Sequence, residues 1–311
     1  MRILLAVSGG VDSMYLANRR QELFPDALFA IAHCNFGLRG EDSDADEQFV
    51  REWCTREGLT LHTVRFDTRS HAACNGISIE MAARQLRYTW FGKLCSEYGY
   101  DAIAVAHNAN DNAETLILNL LRGTGSRGVC GMGERSWSQE AGTTILRPLL
   151  TTQRRDIEEW MRAHGMAWRE DRSNSSSDYK RNRIRNEIFP QFALINPSFV
   201  RTLSRDMQHL RDTDAIAEDY LAAVRGQVSK TAEDGSPIID LRQLMALRHW
   251  RYVLWRLLEP YRLSEETFDK LTALLSSGRT ISGKSFESPT HIVSIRLKTM
   301  TVAPRQKQTK G

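Results

Sequence analysis

Short apolar runs alternate with stretches of helical spacing through the first half of the chain. Ile3–Val7 is continuously apolar and runs into Ser8-Gly9-Gly10, and a helical pattern follows from about Val11 to Phe24. Pro25-Asp26 ends it, and Leu28–His33 is a second apolar run. Ser43, with Asp46 three residues on, reads as a capping pair opening a helix that carries Phe49, Val50 and Trp53. Leu59–Phe66 reads as a third strand, Ser78–Tyr98 as a long helix, and Ala102–Ala106 as a fourth strand. His107–Asn110 reads as a loop. Asp111–Arg122 reads as a helix with Ala113, Leu116 and Leu120 on one face. Thr144–Leu146 and Thr152–His164 supply a further strand and helix. Apolar strands separated by helices are the pattern of an α/β fold, a doubly wound, mainly parallel sheet.

The second half differs. Residues 165–185 are polar and basic without apolar periodicity, and helical spacing returns at about Ser198–Val224. Ser229–Pro237 reads as a linker. Two helical stretches (about Leu241–Leu258 and Ser264–Leu275) and a strand-like run near His291–Leu297 form a smaller, mostly helical unit, in which Trp250, Tyr252 and Trp255 read as core. The expected divisions are 1–215 for the large domain, 216–237 for a helical linker, 238–304 for the small domain and 305–311 for a polar tail.

With 311 residues and 41% hydrophobic content, the chain is long enough for one large and one small core. No apolar run approaches the roughly 20 residues of a membrane span. The start at Met1 is too short in its apolar part for a signal peptide and has no A-x-A-like site, so a cytoplasmic protein without membrane contact is expected. The cysteines Cys34, Cys54, Cys74, Cys95 and Cys130 form no C-x-x-C pair, which indicates neither a disulfide framework nor a metal cluster. The net charge of +4 permits an anionic partner without specifying one.

The sharpest chemical signal is Ser8-Gly9-Gly10-Val11-Asp12-Ser13, between the first strand and the first helix. Ligands of open α/β sheets bind at the carboxyl ends of strands. Two glycines admit an anion to the backbone, and a helix N-terminus supplies free N–H groups and a positive dipole end. Asp12 would repel phosphate unless a cation lay between, which calls for Mg²⁺. The loop has no lysine and no G-x-x-x-x-G-K-[ST], so an ordinary P-loop is excluded. The hexapeptide resembles that of the PP-loop ATP pyrophosphatases. That resemblance implies an adenine nucleotide alpha hydrolase-like fold and cleavage of ATP between its α- and β-phosphates.

Further motifs follow in order: His33-Cys34-Asn35-Phe36-Gly37-Leu38-Arg39-Gly40-Glu41-Asp42-Ser43, Ala83-Arg84-Gln85-Leu86-Arg87-Tyr88, and Ala106-His107-Asn108-Ala109-Asn110-Asp111-Asn112-Ala113-Glu114-Thr115. Then come Arg122-Gly123-Thr124-Gly125, Arg147-Pro148-Leu149-Leu150, Glu170-Asp171 with Ser173-Asn174, and Arg181-Asn182 with Arg185. Together they resemble the tRNA(Ile)-lysidine synthetase family over the first two thirds of the chain. Phe36 and Asn108 stand where that family has histidines, and Asn110 stands at the first aspartate of its D-D pair. Asp111 is expected to carry the function of that pair.

The resemblance implies a carbon–nitrogen ligase joining free L-lysine to the wobble cytidine of the CAU anticodon of isoleucine tRNA. The route is an adenylated cytidine, with loss of pyrophosphate and then AMP, and it shifts codon reading from AUG to AUA. It implies ATP and Mg²⁺ as cofactors. Ser8, Gly9, Gly10, Val11, Asp12, Ser13, His33, Arg87, His107 and Gly125 would meet ATP, and Asp12 the metal. Asp111 and Glu114 would hold lysine and, with Asp12 and Arg181, form the catalytic set. Arg172, Lys180, Arg181, Arg183 and Arg185 would contact tRNA, as basic residues among polar ones suit a single-stranded loop.

Blander readings stand beside these. Asp111 and Glu114 share a helix face and complement its dipole. His33 and His107 follow apolar strands as satisfied structural histidines would. Arg87 fits a helix surface, and residues 172–185 fit a solvated loop. A homodimer is compatible with the sequence. Alternative functions are a tRNA 2-thiocytidine synthetase, whose C-x-x-C ligands are missing, a GMP- or NAD-synthetase-type amidotransferase subunit, and a catalytically silent nucleotide- or tRNA-binding module.

Overall fold

Alternate residues of a strand face opposite sides of its sheet, so a strand covered on both sides must be apolar throughout. β1 (Arg2–Ala6) meets that condition. Ile3 and Leu5 lie in one buried cluster with Met14, Leu16, Ile31, Val50, Trp53, Ile157 and Met161. Leu4, between them, lies in another with Tyr88, Phe91, Leu94, Ile103 and Ile145. In this computed structural model, which describes residues 1–169, 179–233, 235–277 and 282–305, the chain divides into two units, Met1–Asp212 and Thr213–Gly311.

The first unit is built on six strands in the order β3-β2-β1-β4-β6-β5. They are β1, β2 (Leu28–Asn35), β3 (Thr60–Arg65), β4 (Ala102–Ala104), β5 (Arg135–Ser138) and β6 (Thr143–Leu146). All pairings are parallel except β5 with β6. Leu4 is flanked in register by Ala30 of β2 and Ile103 of β4. The chain builds outward from β1 through β2 to β3, then returns to β4 on the other side. Where the order reverses, the carboxyl ends of β1 and β4 leave a crevice. The sheet matches the doubly wound expectation, and β5 is an antiparallel edge strand that the sequence pattern did not suggest.

Several local expectations change. The first helical stretch is two helices, Val11–Asn18 and Arg20–Leu23. The helix expected to open at Ser43 runs over Glu41–Glu57, with Gly40 at its N-cap. Gly40 has φ +54°, which a glycine adopts without strain, and the acids Glu41, Asp42 and Asp44 occupy the first turn. Ser43 and Asp46 are therefore not a cap: Ser43 Oγ accepts from the Arg39 N–H, and Asp46 is held by arginines. The helix expected from Asp111 spans Ala109–Arg122, so Asn108 is its cap. Ala113 and Leu116 are buried while Leu120 is exposed.

The second unit carries an antiparallel sheet of five strands in the order β7-β8-β11-β10-β9. These are β7 (Ser229–Thr231), β8 (Pro237–Asp240), β9 (Ser285–Glu287), β10 (His291–Arg296) and β11 (Thr299–Pro304). The segment expected as a linker instead holds the edge strand β7 (Ser229–Thr231) and the first residue of β8, Pro237, with Ser229 opposite Ile239. Helices Leu241–Ala246, Trp250–Leu258 and Glu265–Ser276 contribute Leu244, Val253, Leu254 and Leu271 to a core shared with Val293, Ile295, Met300 and Val302. Trp250 is partly buried against it. Among the described residues, no helix is long and apolar enough to cross a membrane.

Candidate active site

The crevice between β1 and β4 opens into a cavity of about 860 Å³, within the size range of small-molecule sites. One wall is the loop after β1. Gly9 takes φ +95°, and Gly10 precedes helix Val11–Asn18 without any side-chain cap. The first N–H groups of that helix are thus not capped by a side chain, as an anion site requires. Ser13 closes the loop: its Oγ donates to Gly10 O at 2.9 Å and accepts from Ser8 N at 3.1 Å. The Ser13 hydroxyl expected to meet phosphate therefore serves first to shape the loop. Gly9 O accepts the Arg169 N–H at 2.9 Å, which ties the loop to the stretch after helix Arg154–Ala163.

The opposite wall is the start of helix Ala109–Arg122. Asn108 Oδ1 accepts from the Asn110 and Asp111 N–H groups, and Asp111 Oδ2 accepts from Asn108 N at 3.0 Å, a reciprocal capping box. The remaining Asn108 donor reaches Asp12, where Nδ2 donates to Oδ1 at 3.0 Å. The other Asp12 oxygen is held by Arg154 Nη1. Burial, partly offset by Arg154, pushes the Asp12 carboxyl above the ordinary range, and the nearby Asp111 charge adds to it. Asn110 Oδ1 accepts the Arg154 N–H at 3.0 Å. Asn110 thereby caps the helix Arg154–Ala163, work that an acceptor oxygen does without a charge.

Deeper in the cavity lies Glu114, fully buried. Arg185 Nε donates to its Oε1 at 2.7 Å, and Arg185 Nη2 reaches Asp111 Oδ1 at 3.4 Å. Glu114 Oε2 is buried with no hydrogen-bond partner. Buried polar oxygens are normally hydrogen-bonded, so this one is open to a donor from a ligand. Burial holds the Glu114 carboxyl above its ordinary range. His107, whose Nδ1 is also buried without a partner, is lowered to about 4 by burial, with Arg147, Arg181 and Arg87 acting the same way. At neutral pH it is an uncharged ring.

Of the residues singled out from sequence, Ser8, Gly10, Val11, Asp12, Ser13, Arg87, His107, Asp111, Glu114 and Arg185 line this one cavity. His33 does not: it is buried, and its Nδ1 bonds Val7 O at 2.9 Å, holding the end of β1. Gly125 caps the short helix Ser126–Val129 outside the lining. Arg183 pairs with Glu187 at 3.1 Å, and Lys180 is exposed. Arg181 acts on His107 and Glu114 through its charge. Arg172 and the Glu170–Asn174 motif lie outside the described residues. Arg185 falls in a π-helical turn, Ile184–Ile188, a departure often found at functional sites.

Sequence reasoning missed Arg154, Glu158, Arg162, Trp168 and Arg169 on the cavity wall. Arg154, Glu158 and Arg162 recur at intervals of four and form an ion-pair row, which in a sequence looks like an exposed helix face. Arg39 and Arg169 both bind Asp46, at 2.5 and 2.8 Å, and so join the Gly37–Glu41 turn to the loop-side wall.

The donor set fits Mg²⁺ arriving with a nucleotide. That ion uses one or two carboxylates together with phosphate oxygens and waters. Asp12 stands beside the phosphate loop with the Asp111 charge near it. Among the described residues, no three acidic, histidine or cysteine side chains group as a self-sufficient metal cage.

A sheet with its reversal beside β1, a glycine loop and helix N-terminus at that reversal, and carboxylates around them define a nucleotide-binding α/β protein. The chain belongs to the PP-loop domain family, whose sequence pattern matches residues 1–192, and ATP use goes with that membership. Residues 232–299 match the TilS substrate binding domain. The chain is similar to the tRNA(Ile)-lysidine synthase of Porphyromonas gingivalis, 37% identical over 306 residues, covering 97% of this chain and 63% of that protein. It is also similar to the tRNA(Ile)-lysidine synthase of Chlorobaculum tepidum, 40% identical over 225 residues, covering 70% of this chain and 64% of that protein. This chain thus spans under two thirds of the length of these relatives. The fold resembles that of the U34-tRNA thiolase NcsA from Methanococcus maripaludis, with TM-score 0.56 and 16% identity over 68% of this chain and 72% of that one.

Proposed function

We propose that the protein ligates free L-lysine to the wobble cytidine of a CAU-anticodon isoleucine tRNA, at the expense of ATP. The observation that carries this reading is the buried, partnerless Glu114 oxygen beside Asp111, in the same cavity as the phosphate loop. It is supported by the lysidine synthase relatives and by the substrate-binding match in the second unit.

The residues divide the work as follows. The loop Ser8–Ser13 and the N–H groups of its helix receive the phosphates, and Arg87, half-buried on the wall, adds a cation. Asp12 would hold Mg²⁺, which when bound neutralises phosphate charge as the bond between the α- and β-phosphates breaks. The cytidine oxygen takes AMP and so becomes a competent leaving group.

Lysine then attacks the activated ring carbon, for which its amine, with an ordinary pKa of about 10.4, must lose a proton. Glu114 Oε2 accepts a hydrogen bond from that amine. Its burial-raised basicity suits it to take the proton. Arg185, bonded to Glu114 and near Asp111, keeps the two carboxylates in place and stands toward the anionic substrates. Arg181 and Lys180 extend the positive charge toward an RNA backbone.

Incubation with ATP, Mg²⁺ and CAU-anticodon isoleucine tRNA, with and without lysine, followed by nucleoside mass spectrometry, tests the reading. A lysine-bearing cytidine formed only with all components is the expected result. Pyrophosphate release without a lysine adduct would overturn the substrate assignment. Absence of nucleotide turnover with every component present would overturn the enzymatic reading.

A further inference from the structure

Arg154 is anchored on the protein's side at two points. Its backbone N–H donates to Asn110 Oδ1 at 3.0 Å, and its Nε donates to Glu158 Oε1 at 2.9 Å. Glu158 is itself held by Arg162, at 3.0 Å. The free edge of the Arg154 guanidinium, at Nη1, is bonded to Asp12 Oδ2, while Asn108 occupies Asp12 Oδ1. Both oxygens of the one carboxylate in the phosphate loop are therefore engaged, one by a neutral amide and one by a cation.

A divalent cation and the guanidinium compete for that oxygen, because two positive charges at one acceptor repel each other. Arg154 is 45% exposed at the side chain and lines the same cavity as Ser8, Gly10 and Ser13, so phosphates entering the loop come within its wall. Phosphate offers a planar guanidinium the paired acceptors it favours.

We propose that Arg154 is an exchange residue. It neutralises Asp12 in the free protein, yields Asp12 to the cation that arrives with the nucleotide, and passes to the nucleotide's phosphate oxygens. The Glu158 and Asn110 anchors keep the side chain within reach of both partners. Cation and nucleotide then bind with positive coupling: each removes the obstacle to the other. This inference rests on reading the cavity as the site of ATP with Mg²⁺, and it adds a residue and an order of events to that reading.

The test uses the whole chain without tRNA. Mn²⁺ binding is followed by electron paramagnetic resonance, and binding of α,β-methylene-ATP, which resists cleavage at that bond, by calorimetry. Each is measured alone and in the presence of the other. In the unaltered chain, Mn²⁺ alone should bind weakly and tighten markedly with the analogue. In Arg154→Ala, Mn²⁺ alone should bind several-fold more tightly and the analogue about tenfold more weakly, the usual scale for losing a charged hydrogen bond. The coupling between them should shrink.

Arg154→Lys keeps the cation and should fall between the two. These opposite signs set exchange apart from a structural ion pair, whose loss would lower both affinities or neither. Unchanged Mn²⁺ affinity in Arg154→Ala, or unchanged analogue affinity, would overturn the exchange while the nucleotide site stood. If the unaltered chain failed to bind the analogue even with Mn²⁺, the nucleotide site itself would fall and the exchange with it.

Discussion

Asn108 and Asp12, 96 positions apart, meet through one hydrogen bond, in which Asn108 Nδ2 donates to Asp12 Oδ1 at 3.0 Å. The same asparagine accepts the N–H groups of Asn110 and Asp111 through its Oδ1. One side chain thus starts a helix with one end and aims a phosphate-loop carboxylate with the other. Asn108→Ser keeps a capping oxygen but loses the donor to Asp12. It should retain nearly full stability in urea denaturation while nucleotide binding weakens about threefold to tenfold. Asn108→Ala should weaken binding similarly and lose about 1 kcal/mol of stability as well. Nucleotide affinity at the original level in Asn108→Ser would reduce Asn108 to a cap.

Glu114→Gln removes the charge but preserves shape. The KM for lysine should rise by about tenfold or more, since a charged hydrogen bond of roughly 1.5–3 kcal/mol is lost, while binding of the ATP analogue stays within about twofold. Steady-state pyrophosphate release at varied lysine checks the first, and calorimetry the second. Equal loss of both would place Glu114 at the nucleotide instead.

His107 gives a pH signature. Burial lowers its pKa to about 4 in the folded protein, whereas in the unfolded chain it stays near its ordinary 6.5. On acidification the unfolded chain takes up the proton first, so the contribution of His107 to stability is whole above pH 6.5 and is lost as pH falls toward about 4. The raised carboxyls of Asp12 and Glu114 act with opposite sign, because there the folded state gains the proton first. Comparing the unaltered chain with His107→Asn isolates the histidine. The difference between them in unfolding free energy should change by about 1 kcal/mol per pH unit between pH 6 and 5. Parallel curves for the two proteins would contradict a neutral buried ring.

Gly92 lies inside the helix Ile79–Tyr98, where an added Cβ would sit 2.3 Å from the Ala141 carbonyl oxygen. Gly92→Ala should therefore destabilise the first unit by about 1–3 kcal/mol through overpacking, despite the better helix propensity of alanine. Thermal unfolding followed by circular dichroism would register it, and an unchanged or higher melting temperature would contradict so close an approach.

The middle of the parallel sheet was legible because its strands are covered on both faces, so that stretches such as Ile3–Val7 and Phe29–Ala32 are apolar without interruption. The run near His291–Leu297 was also legible and is β10, but β5, β7, β8, β9 and β11 were not, because an edge strand such as Arg135–Ser138 is half solvated and its pairing is set by partners distant in sequence. The Ser43–Asp46 spacing imitated a cap because the true one, Gly40, acts through its backbone angle and has no side chain to read. The phosphate loop and the Asp111–Glu114 pair were visible as motifs. Arg185 and Asn108, which hold these carboxylates, were also in motifs, but Arg154 and Glu158 were not: they carry the charge pattern of any exposed helix, and only their place on the cavity wall sets them apart. Asn110 looked like a lost charge, but its place calls for an acceptor to a backbone N–H, which an amide supplies.

The reversal of strand order beside β1 also bears on how the site is assembled from the chain. The phosphate loop ends at Ser13, yet its opposite wall begins at Asn108 and the arginine that covers Asp12 is Arg154. The cavity joins Asp12 to groups 96 and 142 positions away, so the loop by itself is no pocket until the sheet brings Asn108 and Arg154 to it.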